Sequence, residues 1–382
     1  MIFNPRYLLV YRDWYSLLFI TLLSVIGLIF IFSATYRPHQ PYSLSFIKQC
    51  CGLFAGLLTY VTISCIDYRF MERWGYCAYW CVLVFLVFTL CKGSVGMGGQ
   101  RWINLGLFKF QPSELAKLFF PAFASYQLYG DPLREKPSTH TYAIVLGVLV
   151  VSFLLIRKQP DLGTALIVLL SGLIMVWLAG LSRRFFIISF MLVAISTPIT
   201  WHFLKEYQKK RIYVFLGYGD AHKERYQLEQ AKIAIGSGGL TGKGLLRGTQ
   251  NQLHFLPESR TDCIFAVIAE EWGLLGAIGI ITLYMLFFLH LLYMTCAIAD
   301  PGAQLLALGL LMPTILSTAI NISMIMGMLP VVGIPLPWIS YGLSNLLTTM
   351  ISFGWFESII MRRLQLHQQT MRPYGKHKTT AK

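Results

Sequence analysis

Long apolar runs recur along the whole chain, and they constrain its fold more than any other feature. A run of about 18 or more apolar residues can cross a bilayer as a helix. The runs do not alternate with a period of two residues, as the strands of a membrane β-barrel do. Because 55% of the residues are hydrophobic and only 13% are charged, a soluble domain could not hide this much apolar surface. The sequence therefore predicts an all-α, polytopic membrane protein.

Ten segments are predicted to span the membrane, and the connections between them are mostly short. The eighth segment is long and is expected to tilt or to project from the membrane. One connection, at about 205–262, forms a large extracytoplasmic loop. The membrane domain is predicted at 1–363 and a short disordered basic tail at 364–382. The predicted spans are 14–35, 45–65, 75–91, 111–129, 140–156, 161–180, 184–204, 263–295, 302–327 and 341–361.

The formal net charge of +15 bears first on topology, because Lys and Arg collect on the cytoplasmic side of membrane helices. No nucleic-acid-binding motif accompanies this charge. With the N-terminus inside, the cytoplasmic segments are more basic than the short outer loops, so both termini are expected in the cytoplasm. These segments contain Arg6, Arg12, Arg69, Arg73, Arg134, Lys136, Arg183, Arg184, Arg362, Arg363, Arg372, Lys376, Lys378 and Lys382.

The long loop carries ten Lys and Arg residues although it is assigned to the outside. The orientation rule counts short loops, so a long basic loop does not contradict it. Positive charge beside a membrane favours an anionic partner, such as lipid headgroups or a lipid-linked phosphate.

Eight cysteines are present, nearly all of them inside apolar runs. Cys77 and Cys81 lie one helical turn apart, but no histidine and no second cysteine pair supports a metal site there. We interpret the cysteines as small apolar residues, and the sequence predicts no dedicated metal site.

Glu114 and Lys117 are charges inside a predicted span, where charge is costly. Their spacing in QPSELAKL places them on one face of a helix. Two interpretations stay open: an ion pair that lines a water-filled cavity, and a structural pair that satisfies itself.

Three further candidates lie at the outer ends of the predicted spans. Arg101 and Trp102 belong to a glycine-containing loop whose pattern suits the membrane interface. Arg101 is able to hold a phosphate through two parallel hydrogen bonds, although an interfacial anchor explains the pair equally well. Asp161, in QPDLGT, begins the sixth span, where a helix cap is the favoured interpretation.

Glycines concentrate around Lys243 in GSGGLTGKG, residues 236–244. The Walker spacing is absent and the loop is assigned to the outside, so we reject a nucleotide site. Flexible glycines would still let backbone N–H groups approach a lipid pyrophosphate.

Asp262 ends the long loop in LPESRTDCIFAVIAEEWG, close to Arg260. One interpretation is a cap for the eighth helix. The other is a general base at membrane-surface depth, where it can meet a substrate anchored in the outer leaflet. Glu270 and Glu271 are expected about 12 Å deeper along the same helix, where they pair with internal cations or shape the cavity.

The segment NISMIMGMLPVVGIPLPWISYG, residues 321–342, contains three prolines and three glycines between the last two spans. Irregular backbone at membrane depth is tolerated only where it is buried in protein or lines a cavity. The segment therefore indicates a groove that opens outward.

In chain order, RWINLG, QPSELAKL, QPDLGT, AIGSGGLTGKG, FLPESRTDCIFAVIAEEWG and the segment that ends in SYG together resemble the SEDS family (shape, elongation, division and sporulation), which includes RodA, FtsW and SpoVE. The short N-terminus and GTQNQLHFLPE are more similar to the elongation branch, RodA, than to the division branch, FtsW. The family usually has an aromatic residue where this chain has Cys263, and a glycine where it has Leu343. Both departures bear on local helix packing.

The resemblance implies a ten-helix peptidoglycan glycosyltransferase of the bacterial inner membrane, which polymerises lipid II during cell elongation. It also implies a class B penicillin-binding protein as transpeptidase partner, together with other membrane proteins of the rod complex. Asp262 falls on the family's essential loop aspartate. Arg101, Glu114 and Lys117 fall on motif positions that line the donor cavity.

We therefore hypothesise that Asp262 takes the proton of the acceptor GlcNAc hydroxyl as it attacks the muramic C1 with inversion. Arg101 and Lys117 would hold the departing undecaprenyl pyrophosphate, and a divalent cation (Mg or Mn) would bind mainly through the substrate phosphates. The alternatives are a lipid II flippase, a non-catalytic scaffold for the transpeptidase, and a role in division rather than elongation. The predicted substrate-binding residues are Arg101, Trp102, Glu114, Lys117, Asp161, Lys243 and Arg260.

Overall fold

The computed structural model describes residues 11–37, 42–96, 99–104, 109–131, 137–202, 226–253 and 255–371, and the single residues 209, 213 and 218. Each of the ten predicted spans coincides with a helix, and two shorter helices, α8 and α9, lie in the long loop. The helices are α1 Trp14–Thr35, α2 Leu44–Cys65, α3 Tyr68–Lys92, α4 Pro112–Tyr129, α5 Thr139–Lys158, α6 Leu162–Leu178, α7 Arg183–His202, α8 Tyr226–Gly238, α9 Thr249–Gln252, α10 Ile264–Cys296, α11 Pro301–Ile325 and α12 Leu343–Met371.

Within the described residues, six helices are long and apolar enough to cross a membrane by length and composition, namely α1, α2, α3, α5, α10 and α11. The perimeter of the bundle exposes large apolar side chains such as Phe54, Val84 and Phe190, which is the arrangement of a bundle surrounded by lipid rather than by water. The chain is therefore a membrane-embedded, all-α protein.

Helices begin where a short polar residue precedes an apolar run. An Asp or Ser side chain accepts a hydrogen bond from a first-turn backbone N–H at six such starts in the described part of the chain, and these caps are Asp13, Ser43, Asp67, Ser138, Asp161 and Asp300. The cap at Asp67 starts α3 at Tyr68, seven residues earlier than the apolar run predicts. At the other end of the chain, α12 continues to Met371, beyond the expected boundary at 363, and residues 372–382 lie outside the described part.

The helix α4 lies at the centre of the bundle and packs against α3, α5, α6, α11 and α12. Small residues permit the close contacts. A Cβ atom at Gly75 would lie 2.7 Å from Ala122 of α4. Likewise, a Cβ atom at Gly52 would lie 2.4 Å from the side chain of Leu343. The absence of a side chain at Gly52 therefore makes room for the leucine that stands where the family usually has a glycine.

One departure from the expected structure is the segment at 94–110, which was expected to be an amphipathic interfacial loop. It forms three short antiparallel strands, β1 Ser94–Gly96, β2 Gly99–Asn104 and β3 Lys109–Phe110, in the order β1-β2-β3. Pairing satisfies the backbone N–H and C=O groups that an interfacial loop would leave to water. Arg101 and Trp102 are neighbours on β2, so their side chains leave opposite faces of the strand.

Four of the basic residues assigned to one side of the membrane gather at one end of the bundle. Arg12 donates to Ser64, Arg362 donates to the carbonyl oxygen of Cys65, and Arg363 donates to that of Met294; Arg69 begins α3 beside them. We call this the basic end. The opposite end, called the site end, contains the C-terminal end of α1 and the starts of α4 and α6. Arg6, Arg134 and Lys136 lie outside the described residues.

The helix α10 is broken at Gly273, although the sequence predicts one continuous span. Gly273 has φ 68° and ψ −165°, a conformation that side chains disfavour. The N–H groups of Leu274 and Leu275 donate to carbonyl oxygens at 239–240, as at the start of a new helix. The segment 264–272 is therefore a short separate helix, and only the remainder of α10 is the span.

The break gives a testable consequence for stability. Replacing Gly273 with alanine would place a Cβ atom 2.3 Å from the backbone nitrogen of Gly242. A strained positive φ alone costs about 1–3 kcal/mol, so we expect the thermal unfolding midpoint in detergent to fall by several degrees. Gly279 is the matched control in the same helix, because no atom lies within 4 Å of its Cβ position. Equal midpoints for Gly273→Ala and Gly279→Ala would show that α10 is continuous.

Candidate functional site

Asp161 joins three segments at the site end. Its carboxylate caps α6 by accepting from the backbone N–H of Thr164 at 3.4 Å. It also accepts from the side chains of Gln111 at 2.9 Å and Ser113 at 3.2 Å, which lie at the start of α4. The capping interpretation of Asp161 is confirmed, and the buried carboxylate additionally fixes α4 against α6.

Arg101 reaches the same place from β2. Its guanidinium lies 3.8 Å from the carboxylate of Asp161, and it donates to the carbonyl oxygens of Gln159, at 3.3 Å, and of Pro160. Oxygen atoms of the protein therefore occupy the guanidinium of Arg101, which the sequence analysis considered as a phosphate-binding group. Trp102, the next residue of β2, is paired with Ser94 in the strand register.

Glu114 and Lys117 form an ion pair of 2.7 Å, with relative exposures of only 6% and 8%. Asn345 of α12 donates to Glu114 at 3.4 Å. The pair lines a cavity of about 20 Å³ between α4, α11 and α12, which is room for about one water molecule. Both interpretations of the pair therefore apply, since it is satisfied and it lines a polar cavity. The other polar or proline lining residues are Pro313, Thr314, Ser317, Pro337, Thr348, Thr349 and Ser352.

Asp262 is half-buried and precedes the short helix 264–272. The N-cap position of that helix belongs to Cys263, whose own side chain makes no capping hydrogen bond. The N-cap interpretation, which is correct for Asp161, therefore does not hold for Asp262. Cys263 is buried, and its sulfur accepts from the side chain of Gln227 at 3.3 Å, so a polar contact stands where the family usually places an aromatic ring.

The irregular segment 326–342 is exposed at its start, at Met326, Met328 and Leu329, and largely buried in protein over 334–340. A Cβ atom at Gly27, in the middle of α1, would lie 2.5 Å from the carbonyl oxygen of Trp338. The hydroxyl of Tyr284 donates to the carbonyl oxygen of Pro337. The segment therefore returns from the site end into the interior of the bundle.

This segment also connects the two parts of the candidate site. A Cβ atom at Gly163, in the first turn of α6, would lie 3.1 Å from the carbonyl oxygen of Val332 and 2.8 Å from the side chain of Ile334. A Cβ atom at Gly333 would lie 3.4 Å from the carboxylate of Asp262. Residues 332–334 consequently lie between the start of α6, with Asp161, and Asp262.

Comparison with known proteins identifies this arrangement. A family model described as "Cell cycle protein", for FtsW, RodA and SpoVE, matches residues 13–365. The chain belongs to this family. It is 39% identical to the peptidoglycan glycosyltransferase MrdB of Escherichia coli K12, over 94% of this chain and 95% of that one.

Solved structures of the family share the fold. A chain of a peptidoglycan synthase complex that coordinates polymerization and crosslinking superposes with a TM-score of 0.78 and 26% identity, over 93% of this chain and 99% of that one. The rod shape determining protein RodA of Thermus thermophilus superposes with a TM-score of 0.69 and 26% identity, over 92% of this chain and 97% of that one.

In this FtsW/RodA/SpoVE family member, Arg260 lies at the surface beside the start of α2. Its guanidinium donates to Ser45 at 3.0 Å and lies 5.8 Å from the ring centre of Tyr341. Stacking on an aromatic ring leaves part of an arginine fork available to other acceptors. Arg260 is exposed and lies two residues before Asp262 in the sequence. Of the cations predicted to bind substrate, it is therefore one that a ligand near Asp262 can reach.

Lys243 has a structural partner. Its ammonium lies 2.7 Å from the carboxylate of Glu270, which is fully buried and also accepts from Thr249 at 3.2 Å and from the N–H of Gln250 at 3.0 Å. A buried carboxylate requires such partners. The geometry therefore assigns Lys243 to holding the loop on the short helix, and it does not support the predicted role in substrate binding.

The expected depth of the two glutamates was wrong, because the break at Gly273 ends the helix that contains them. Ser33, two residues from the end of α1, donates to Glu271 at 2.5 Å, so Glu271 lies at the site end rather than deep in the bundle. The expectation that internal cations pair with these residues holds for Glu270, whose partner is Lys243.

Two of the glycines of 236–244, Gly238 and Gly242, serve close packing against the short helix. A Cβ atom at Gly238 would lie 2.0 Å from the carbonyl oxygen of Ala269, and one at Gly242 would lie 2.1 Å from that of Glu271. The N–H groups of Lys243 and Gly244 donate to the carbonyl oxygens of residues 270–271. Because these donors are occupied, they are not available to a pyrophosphate.

Sequence reasoning missed several polar residues of the site, which are buried or half-buried inside or beside apolar segments. A polar side chain in such a segment needs a partner, and this was the available signal. In the described part of the chain, no group of three or more His, Cys, Asp or Glu side chains converges on one point. The missed residues are Gln111, Ser113, Asn321, Ser340 and Asn345.

The two interpretations of Lys243 predict different effects of Lys243→Ala. Removing the cation leaves Glu270 buried without its partner, which typically costs about 3–5 kcal/mol. We expect a lower unfolding midpoint in detergent and partial recovery in the double variant Lys243→Ala/Glu270→Gln. Lys48→Ala, at an exposed lysine of α2, is the control and should leave the midpoint unchanged. An unchanged midpoint for Lys243→Ala, with weaker lipid II binding, would restore the role in substrate binding.

Proposed function

We propose that this protein is a peptidoglycan glycosyltransferase that polymerises lipid II into glycan strands during cell elongation. The observation that carries the proposal is Asp262, a half-buried carboxylate that precedes the N-cap position of the short helix and lies against the irregular segment at the site end. The similarity to MrdB of Escherichia coli over 94% of the chain supports the reaction type and the elongation role.

Asp262 is the general base of the proposed reaction. It removes the proton from the GlcNAc hydroxyl of the acceptor while that oxygen attacks the muramic C1 of the donor. The bond from C1 to the pyrophosphate oxygen breaks, the configuration inverts, and undecaprenyl pyrophosphate leaves. A positioned general base contributes typically about 10²–10⁴ in rate, and half-burial keeps the carboxylate accessible to a hydroxyl group.

The donor is proposed to bind along the cavity lined by Glu114 and Lys117. The cavity lies between α4, α11 and α12 and is lined by polar side chains such as Thr314 and Asn345. Lys117 then exchanges part of its interaction with Glu114 for the anionic leaving group, whose charge it stabilises in the transition state. Arg101 stabilises the neighbouring start of α6 through Asp161, and Arg260 offers an exposed cation near Asp262.

A divalent cation, if the reaction uses one, is proposed to bind mainly through the substrate phosphates. Mg²⁺ typically retains several waters and takes one or two carboxylates together with phosphate oxygens.

The proposed location is the bacterial inner membrane with both termini in the cytoplasm, because the basic end collects the arginines that orient membrane helices. The proposed partner is a class B penicillin-binding protein, which cross-links the strands. The similarity to a chain of a peptidoglycan synthase complex supports this assignment.

The first test replaces Asp262 with asparagine and supplies fluorescent lipid II to the protein purified with its transpeptidase partner. The isostere keeps the shape and removes the base, so we expect polymerisation, read as glycan ladders on a gel, to slow by about 10²–10⁴. Asp300→Asn is the matched control, since Asp300 caps α11 at 3.1 Å from the N–H of Gly302, and it should polymerise at the wild-type rate.

Other outcomes point to the alternative functions. Equal ladders from Asp262→Asn and wild type would remove Asp262 from the mechanism. Lipid II that crosses liposome membranes without any ladder from wild type would indicate a flippase. Neither transport nor polymerisation, with the transpeptidase still bound, would indicate a scaffold.

A second test separates the structural part of the Glu114–Lys117 pair from its part in donor binding. The reversal Glu114→Lys/Lys117→Glu preserves an ion pair at this spacing, so the unfolding midpoint should recover compared with either single change. Polymerisation should not recover, because the reversal exchanges the positions of cation and anion beside the leaving pyrophosphate. Full recovery of both quantities would assign the pair to structure alone.

A further inference from the structure

Three consecutive backbone carbonyl groups that end at Asp262 are each held by a donor from elsewhere in the chain. The carbonyl oxygen of Arg260 accepts from the N–H of Tyr341 at 2.9 Å. That of Thr261 accepts from the hydroxyl of Ser340 at 2.6 Å. The carbonyl oxygen of Asp262 itself accepts from the side-chain amide of Asn321 at 2.9 Å. A turn that is bonded at three successive residues has little freedom to shift.

Asn321 is the first of the two side chains in this arrangement. It is fully buried in α11, and the same amide nitrogen donates to the carbonyl oxygen of Ile334 at 2.6 Å. One amide group therefore joins the backbone at Asp262 to the irregular segment that packs against α6. Both acceptors are backbone oxygens, so their geometry is set by the chain and not by flexible side chains.

Ser340 is the second side chain. Its hydroxyl donates to Thr261 and accepts from the N–H of Leu336 at 2.8 Å, while its own N–H donates to the carbonyl oxygen of Leu336 at 2.9 Å. These bonds close a tight turn over 336–340. Pro337, inside that turn, lines the cavity of Glu114 and Lys117.

The turn at 336–340 therefore contacts both parts of the site, namely the backbone beside Asp262 and the cavity of Glu114 and Lys117. We infer that Asn321 and Ser340 are positioning residues, which hold Asp262 at a fixed distance from the donor cavity through the segment 334–341. This inference rests on the proposed function, because it assigns the segment to the presentation of Asp262 as a base. It adds that correct placement of the base depends on two neutral side chains that touch no substrate.

The expected effect follows from the geometry of base catalysis. Removing one of the donors leaves a buried carbonyl oxygen without its partner and lets the turn relax. A displacement of about 1 Å can cost roughly 10²-fold in rate when the reacting groups must be aligned. Binding of lipid II does not use these donors, so KM should stay close to the wild-type value while kcat falls.

The experiment measures kcat and KM for lipid II polymerisation, with unfolding midpoints, for the protein in complex with its transpeptidase partner. The variants are Ser340→Ala, Asn321→Leu and Asp262→Asn. Ser125→Ala is the control, since Ser125 is a buried serine whose hydroxyl donates to the carbonyl oxygen of Gly302 at 2.8 Å. We expect Ser340→Ala to lower kcat about 10- to 100-fold, with KM unchanged and a midpoint equal to that of Ser125→Ala. Should Asn321→Leu not fold, Ser340→Ala decides alone.

Each other outcome overturns the inference. A kcat for Ser340→Ala equal to that of Ser125→Ala, with Asp262→Asn inactive, removes the positioning role and leaves the proposed function intact. A lower kcat accompanied by a raised KM or a lower midpoint than the control assigns Ser340 to general structure. A wild-type kcat for Asp262→Asn removes the base itself, and with it both the inference and the assignment of Asp262 under the proposed function.

Discussion

The arrangement of the site depends on one constraint, which is that the irregular backbone of 334–340 must find hydrogen bonds inside a membrane-embedded bundle. Water is scarce there, and an unsatisfied backbone group costs several kcal/mol. Asn321, Ser340 and Tyr284 provide these bonds from side chains, and Gly27 provides the space. Asn321 and Ser340 also bind the turn that ends at Asp262. The same hydrogen bonds therefore satisfy the buried backbone and fix the position of the carboxylate.

Three buried carboxylates follow the same rule of local compensation. The buried carboxylates of Glu114, Asp161 and Glu270 each have a cation within 4 Å, on the same helix, on a strand and on a loop respectively. Buried ion pairs of this kind contribute little net stability but are costly to break. Each pair fixes a different segment around the site. These ion pairs therefore contribute more to the geometry of the site than to the free energy of unfolding.

Much of the fold could be predicted from the residues. The ten apolar segments coincide with ten helices because the bilayer demands long apolar runs whatever their neighbours are. Asp161 was correctly interpreted as a cap, since capping depends on the next three residues only. Leu343 shows the limit of such reasoning, because the small partner that accommodates it, Gly52, is almost three hundred positions away.

The sequence by itself determined the helices, their caps and the proximity of Glu114 to Lys117, because these features depend on spacing within a single turn or span. Only the tertiary structure decided that Gly273 breaks α10, that Lys243 pairs with Glu270, and that Asp262 precedes the N-cap position of its helix. Each of these features depends on contacts between segments that are distant in sequence. The local sequence permits several backbone conformations equally, and the steric fit of a glycine or the position of one hydrogen-bond donor selects among them.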